Sequence, residues 1–244
     1  QLLREYDELS VYLSGQNVDR DSYYGADQSL SDYGNTKDFS YVGGAQYHLH
    51  IGNSELTMGA EYQGEQMLDK KLGYTDLDNA TVEITPTDTI FTYPHTENVT
   101  IADQESHTMS IFAQYQIRVN RLKATLGARF DSYEVVDNEA DTRKSGNVIS
   151  PRVTVLYDVM EYLQARVSYS QGYRAPQIFD EDLHILTSKA RKVIHQNDPD
   201  LQQETSHSFM ASLDFNKKIG TVSLGFLAEG FYTRLEDAFA NEPS

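Results

Sequence analysis

Residues 122–131 read LKATLGARFD, a run in which one set of side chains is apolar and the alternate set is mostly polar. The stretch LQARVSYS, residues 163–170, repeats this alternation. A period of two over eight or more residues predicts extended strands with one apolar face and one polar face. The alternation therefore predicts an all-β protein.

The pattern continues through most of the chain and predicts about nine strands. They lie near Tyr6–Asn17, Asp38–Ile51, Glu55–Leu68, Ser106–Val119, Leu122–Val135, Ser150–Asp158, Tyr162–Gly172, Ser206–Asn216 and Thr221–Ala238. Tight connections are expected to alternate with four long loops, at residues 18–37, 69–105, 136–149 and 173–205. Long strands with this rhythm predict an antiparallel up-and-down transmembrane β-barrel, with the apolar face toward lipid. Phe112 is the exception in its strand, because it falls on the polar face.

Composition restricts the function. The chain has 244 residues, a formal net charge of −17 and no cysteine, so disulfides and thiolate chemistry are excluded. The negative charge argues against nucleic acid as a partner. The mean hydropathy of −0.55 is compatible with a membrane barrel, because only alternate strand residues face lipid. No initiator methionine or signal peptide is visible, and the chain ends directly after a strand pattern. We therefore expect residues 1–244 to be one partial barrel domain of a larger protein.

Three short motifs follow one another in the second half of the chain. They are Ser150-Pro151-Arg152, then Gly172-Tyr173-Arg174-Ala175-Pro176, then the segment that holds Asn197, Pro199, Leu201 and Glu204. Together they resemble the C-terminal-side part of the barrel of TonB-dependent outer-membrane receptors. In that family the three motifs mark a strand start, a strand end and the approach to the next strand. Phe179–His184 also resembles receptors of Bacteroidetes-type bacteria.

The resemblance implies a 22-stranded barrel closed by an N-terminal plug, in the outer membrane of a Gram-negative bacterium. It implies binding and uptake of a scarce extracellular nutrient, such as an iron chelate, haem, cobalamin or a glycan. Energy would come through the TonB complex, which contacts an N-terminal region that this sequence does not contain. The expected partners are outer-membrane lipid and the nutrient, and no bound cofactor is expected.

Candidate ligand contacts lie in the predicted outer loops, where tyrosine offers flat apolar area with a polar tip. They are Tyr23, Tyr24, Tyr74, Tyr93, Asp180, Glu181, Asp182 and His184. Arg174 either pairs with a carboxylate of a loop or of the plug, or contacts the ligand directly. The spacing of the acidic cluster at 180–182 does not match an EF-hand loop, so a solvated loop is predicted there.

The sequence predicts no metal site and no catalytic site. His48 and His50 share one strand face and could bind a metal, but no third ligand is evident, so they are interpreted as polar residues of the lumen. His95 and His107 flank the second long loop and receive the same interpretation. Neither G-x-S-x-G nor H-E-x-x-H occurs, and enzyme activity is therefore not expected.

Two other classes of protein remain open. A soluble or surface β-sandwich that binds carbohydrate or mediates adhesion would show the same alternation, with its apolar face turned inward. A porin-like wall for passive diffusion is less consistent with the receptor motifs. Finally, a partial barrel has open strand edges, so we expect the isolated domain to self-associate through them.

Overall fold

The computed structural model describes residues 7–23, 29–176 and 202–239. Its strands are β1 (Glu8–Tyr23), β2 (Tyr33–Ile51), β3 (Ser54–Lys71), β4 (Thr81–Ile84), β5 (Thr89–Thr92), β6 (Val99–Val119), β7 (Leu122–Asp137), β8 (Thr142–Met160), β9 (Leu163–Arg174), β10 (Glu204–Ile219) and β11 (Val222–Glu236). One turn of 3-10 helix, Leu30–Asp32, precedes β2. Within these residues, no helix has the length and apolar character needed to cross a membrane.

Nine of the strands form one sheet in the order β1-β2-β3-β6-β7-β8-β9-β10-β11, and every neighbouring pair is antiparallel. Each strand therefore pairs with the next long strand along the chain, which confirms the predicted up-and-down topology. The remaining two strands, β4 and β5, form a separate hairpin between β3 and β6. No second sheet of comparable size is present in the described residues to form a sandwich.

The two rims of the sheet differ in their connections. Two-residue turns close one rim, which we call the turn rim, at residues 52–53, 120–121, 161–162 and 220–221. Gly52, Asn120 and Gly220 adopt positive φ angles of 61°, 52° and 64° there. Glycine and asparagine tolerate this backbone conformation, which is why they suit tight hairpins. The opposite rim, which we call the loop rim, carries the longer connections.

Of the four predicted long loops, two are shorter than expected and one is wrong. The loop predicted at 18–37 is shorter because β1 runs to Tyr23 and β2 begins at Tyr33. The loop predicted at 69–105 is shorter because β6 begins at Val99, and it is interrupted by the β4–β5 hairpin.

Residues 136–149 were expected to be a loop, but β7 continues to Asp137 and β8 begins at Thr142. Only four residues connect them, and the Asp137 carboxylate accepts the backbone N–H groups of Glu139 and Ala140. In this segment β7 and β8 extend beyond the part of the sheet whose outer face is apolar. Most of their residues here are polar, so the alternation of apolar and polar residues that predicts a strand is missing.

The exposure of the two sheet faces is opposite to that of a soluble protein. On the apolar face Ile111, Leu126 and Phe130 are 55%, 56% and 39% exposed. On the polar face Ser110 and Asp131 are only 1% and 3% exposed. Large exposed apolar surfaces mark contact with lipid or protein. The strand-by-strand prediction of an apolar outer face and a polar inner face is therefore consistent with the structure.

Aromatic rings lie over glycines at four directly opposed positions of neighbouring strands. The pairs are Tyr12–Gly44, Tyr41–Gly64, Phe112–Gly59 and Tyr133–Gly146. At each glycine a Cβ atom would lie 2.5–2.7 Å from an atom of the opposing ring. Phe112, the apolar exception of the polar face, is thus explained by the glycine that faces it. The rings cover backbone that a glycine leaves bare, a device known to support β-sheets.

The first and last strands of the sheet, β1 and β11, each have one neighbour among the described strands. On β11 Phe226 and Phe231 are 66% and 84% exposed. We therefore expect the isolated 244-residue domain to self-associate, because unpaired strand edges and apolar surface both favour association. Light scattering coupled to size exclusion measures the mass. A monodisperse monomer at high concentration without detergent would contradict this expectation.

Candidate functional site

A network of charged and hydroxyl side chains lies on the polar face of the sheet, between β1 and β7. The Arg129 guanidinium donates to Asp131 (Nε–Oδ1 2.7 Å) and to Glu61 (Nη2–Oε1 2.6 Å). The same Nη2 lies 2.7 Å from Ser110 Oγ, and Ser110 donates to Asp131 at 2.5 Å. Tyr12 donates to the other oxygen of Glu61 at 2.6 Å. Four strands, β1, β3, β6 and β7, thus contribute to one network, which we call the Arg129 network.

The network is largely shielded from solvent. The side chain of Asp131 is 4% exposed, that of Glu61 is 17% exposed and that of Arg129 is 33% exposed. A buried carboxylate is tolerated only where opposite charge and hydrogen bonds replace its hydration. Arg129 supplies both to two carboxylates at once. The sequence does not reveal this network, because nothing local shows that residues 61 and 129 meet.

A shallow depression adjoins the network on the side of the loop rim. Its polar lining comes from β1, β2, β3 and β6, as Ser14, Gln16, Ser40, Gln63, Glu65 and Ser106. The depression therefore presents hydroxyl, amide and carboxylate groups.

Tyr133 and Tyr173 form an aromatic layer above the network, with ring centroids 5.7 Å apart and nearly stacked. Tyr133 is buried with Val135 and Val148, and Tyr173 and Ala175 pack against them. The Tyr133 hydroxyl donates to Gln203 at 3.0 Å, which ties the start of β10 to this layer. The aromatic residue of the second motif therefore has a packing role.

The sequence predicted that the first motif begins a strand, and this prediction is wrong. Ser150, Pro151 and Arg152 lie inside β8, opposite Arg129, Ala128 and Gly127 of β7. The pairing of β8 with β9 starts at Arg152, so Pro151 lies where β8 pairs with β7 alone. Proline lacks an N–H donor and is tolerated where the ladder has an open side. The motif thus marks the start of the β8–β9 ladder.

The second motif ends a strand, as predicted. Arg174 is the last residue of β9 and lies opposite Glu204, the first residue of β10. Its guanidinium carbon is 5.4 Å from the centre of the Phe239 ring, in a cation–π arrangement. Glu204 in turn accepts the backbone N–H of Phe239. Arg174 therefore lies at the loop rim, and its expected contact with ligand or plug stays a prediction.

The described tyrosines among the predicted ligand contacts all belong to the loop rim. Tyr23 ends β1 and packs on Tyr33 at 4.8 Å, while Tyr93 follows β5 and is 48% exposed. Tyr74 lies in the same loop as Tyr93, and its backbone N–H donates to Thr96 Oγ1. Further predicted residues lie outside the described part of the chain: Tyr24, Asp180, Glu181, Asp182, His184, Asn197, Pro199 and Leu201.

A turn stabilised by Asp76 shapes the start of the loop that holds Tyr74. The Asp76 carboxylate accepts the side-chain amide of Asn79 at 2.7 Å and the backbone N–H groups of Asp78 and Asn79. These donors, the Asn79 side chain foremost, hold the pKa of Asp76 below its usual value. The carboxylate form, and with it the turn, therefore persists to lower pH than for an aspartate without these donors.

At the turn rim, His48 and His50 of β2 lie beside Glu55 of β3. One ligand-type atom from each of the three side chains lies within 4.8 Å of the other two. The sequence did not pair the histidines with a carboxylate. His50 pairs with Glu55 across the two-residue turn at 52–53, and this pairing brings the carboxylate beside the histidines.

Residues 3–244 match the family described as TonB dependent receptor-like, beta-barrel. No curated protein sequence matches the chain. Among solved structures, the copper transporter OprC is similar at 12% identity and a TM-score of 0.64, covering 95% of this chain and 36% of its own. The FrpB iron transporter from Neisseria meningitidis (F5-1 variant) is also similar, at 12% identity and a TM-score of 0.61. The match covers 95% of this chain and 34% of the FrpB chain. The ferric yersiniabactin uptake receptor FyuA from Yersinia pestis is similar at 13% identity and a TM-score of 0.55. The match covers 95% of this chain and 33% of the FyuA chain.

This chain thus spans about a third of the length of these two transporters and one receptor. The likeness confirms the barrel expected from the strand pattern. In such a barrel the polar face lines the lumen. The family match covers nearly the whole chain. The chain therefore belongs to the TonB-dependent receptor family, as part of its β-barrel, in the outer membrane of Gram-negative bacteria.

Proposed function

We propose that this chain forms part of the lumen wall and outer rim of a receptor that captures a scarce nutrient and imports it with energy from the TonB complex. The observation that carries the proposal is the arrangement of the sheet. Its apolar face is exposed, as contact with lipid requires, while its polar face carries the buried Arg129 network and the aromatic layer. The family match over residues 3–244 favours a receptor over a wall for passive diffusion.

The substrate we propose is a ferric chelate or a similar metal complex. Solved structures of this fold include proteins titled copper transporter, iron transporter and ferric yersiniabactin uptake receptor. The exposed tyrosines of the loop rim suit such a ligand, because phenol rings offer apolar area for an organic chelator and a hydroxyl for its polar groups. Haem, cobalamin and glycans are the competing ligands.

Uptake by cells that express the whole receptor tests this proposal. A panel of radioactive ferric chelates, haem, cobalamin and oligosaccharides is supplied to cells with and without TonB. We expect one ferric chelate to accumulate only when both the receptor and TonB are present. Accumulation that is independent of TonB would contradict the transport mechanism. Accumulation of a glycan alone would contradict the substrate class.

Replacing Tyr23, Tyr74 or Tyr93 by alanine in the whole receptor is expected to weaken ligand binding by about three- to tenfold each, the range of one aromatic contact. Binding is measured on cells at 4 °C, so that transport does not contribute. Tyr157→Ala is the matched control, because Tyr157 is 46% exposed but lies on the apolar face near the turn rim. Unchanged affinity in all three rim variants would remove these tyrosines from the ligand site.

A further inference from the structure

The hairpin of β2 and β3 brings two imidazoles and a carboxylate together at the turn rim. His48 and His50 are two residues apart in β2, so both side chains point to the polar face. The two rings are 4.6 Å apart, edge to face. Glu55 lies directly opposite His50 in the register of the hairpin. The position of these three side chains is therefore fixed by a two-residue turn and an antiparallel ladder.

We propose that His48, His50 and Glu55 form a binding site for a divalent transition-metal ion on the lumen wall. One ligand atom from each side chain lies within 4.8 Å of the others. Ligands at about 2.0–2.1 Å from a tetrahedral ion are about 3.3 Å apart, so only small side-chain rotations are required. His50 is exposed and the other two side chains are half-buried, which leaves room for these rotations.

Hydrogen bonds to neighbouring side chains orient two of the three ligands. His48 Nδ1 is 2.9 Å from Thr57 Oγ1, which leaves its Nε2 available to a metal ion. Glu55 Oε2 accepts the side-chain amide of Gln116 at 2.7 Å. A metal ion bound at Nε2 requires the tautomer in which His48 Nδ1–H donates to Thr57 Oγ1, and partners of this kind set the direction of ligands in metal sites. The contacts with Thr57 and Gln116 therefore distinguish this group from three unrelated polar residues.

The ligand set indicates which ions would bind. Two imidazoles and one carboxylate suit Zn²⁺, Cu²⁺ or Ni²⁺, whereas Ca²⁺ and Mg²⁺ prefer an all-oxygen shell. The chain has no cysteine, so a thiolate site for Cu⁺ is excluded. Three protein ligands leave a fourth position for water or for a group of another molecule. In a barrel of this family the tight turns are periplasmic, which places the ion at the inner end of the lumen.

The test uses the whole receptor with a purification tag that contains no histidine. Zn²⁺ affinity is measured by titration calorimetry, and bound Cu²⁺ is examined by electron paramagnetic resonance. We expect nitrogen hyperfine coupling from two imidazoles in the wild type. His48→Gln and His50→Gln are each expected to lower Zn²⁺ affinity at least about tenfold and to remove one nitrogen coupling.

Further variants separate a metal site from hydrogen-bonded lining residues. Glu55→Gln keeps an oxygen for Gln116 but removes the charge, and Thr57→Val removes the partner of His48; each is expected to lower affinity by about tenfold. His95→Gln and His107→Gln are the controls, because neither histidine belongs to this group. Heat-dependent gel migration verifies that each variant is folded. Equal Zn²⁺ affinity and unchanged spectra in a folded His48→Gln/His50→Gln variant would overturn the proposal without affecting the proposed transport function.

Discussion

Replacing Arg129 by methionine is expected to lower the free energy of unfolding of the receptor by about 3 kcal/mol. The guanidinium neutralises Asp131 and Glu61 and donates to both, so its loss leaves two shielded carboxylates without a cation. Breaking a buried ion pair from one side costs about 3–5 kcal/mol, because the remaining charge is neither solvated nor paired. The lower end applies here, since the Arg129 side chain is itself 33% exposed.

Two further variants make this prediction specific. Arg143→Met removes a pair with Glu134 in which the two side chains are 66% and 39% exposed, and we expect it to cost less than about 1 kcal/mol. The double variant Arg129→Met/Asp131→Asn should be more stable than Arg129→Met alone, because one unpaired charge is gone. Urea unfolding of the whole receptor in lipid vesicles measures all three. A loss in Arg129→Met no larger than in Arg143→Met would refute the structural role of the network.

Replacing Gly59 by alanine is expected to lower the free energy of unfolding by about 2 kcal/mol, the second largest effect that we predict. The added Cβ atom would lie 2.5 Å from Phe112 Cζ and 2.6 Å from the carbonyl oxygen of Ala45. The Phe112 ring could rotate away, but the Ala45 oxygen belongs to the neighbouring strand and moves only if the ladder shifts. Packing that forces such shifts typically costs 1–3 kcal/mol. Gly59→Val should cost more, because its additional methyl groups meet the same atoms.

Gly127→Ala is the matched control for Gly59→Ala. Gly127 lies in a central strand on the same face, but its nearest neighbours would be 3.5 Å from an added Cβ, an ordinary contact distance. We expect a change within about 0.5 kcal/mol, the usual range for a substitution without a clash. Both variants are compared by urea unfolding under identical conditions. Equal stability of the two variants would show that the sheet accommodates a Cβ atom at residue 59 without a clash.

The alternation in residues 122–131 and 163–170 was sufficient to predict the strands and their two faces, because side-chain direction in a strand has a local period of two. Strand ends were less predictable. The segment 136–149 is an example, since its polar residues continue two strands beyond the apolar belt. The motif around Pro151 was predicted to start a strand and instead lies inside β8, because its position depends on where β9 begins to pair, which is a tertiary property.

By itself, the sequence determined the all-β class, the up-and-down order and the family, since each follows from local periodicity or from short motifs. Only the tertiary structure decided which side chains meet. Arg129 and Glu61 are 68 positions apart, and the pairing register of β3, β6 and β7 places them 2.6 Å from each other. The same holds for Phe112 over Gly59 and for Glu55 beside His50. A shift of two residues in any ladder would keep every side chain on its own face but would separate these pairs, so the contacts depend on a register that alternation alone does not specify.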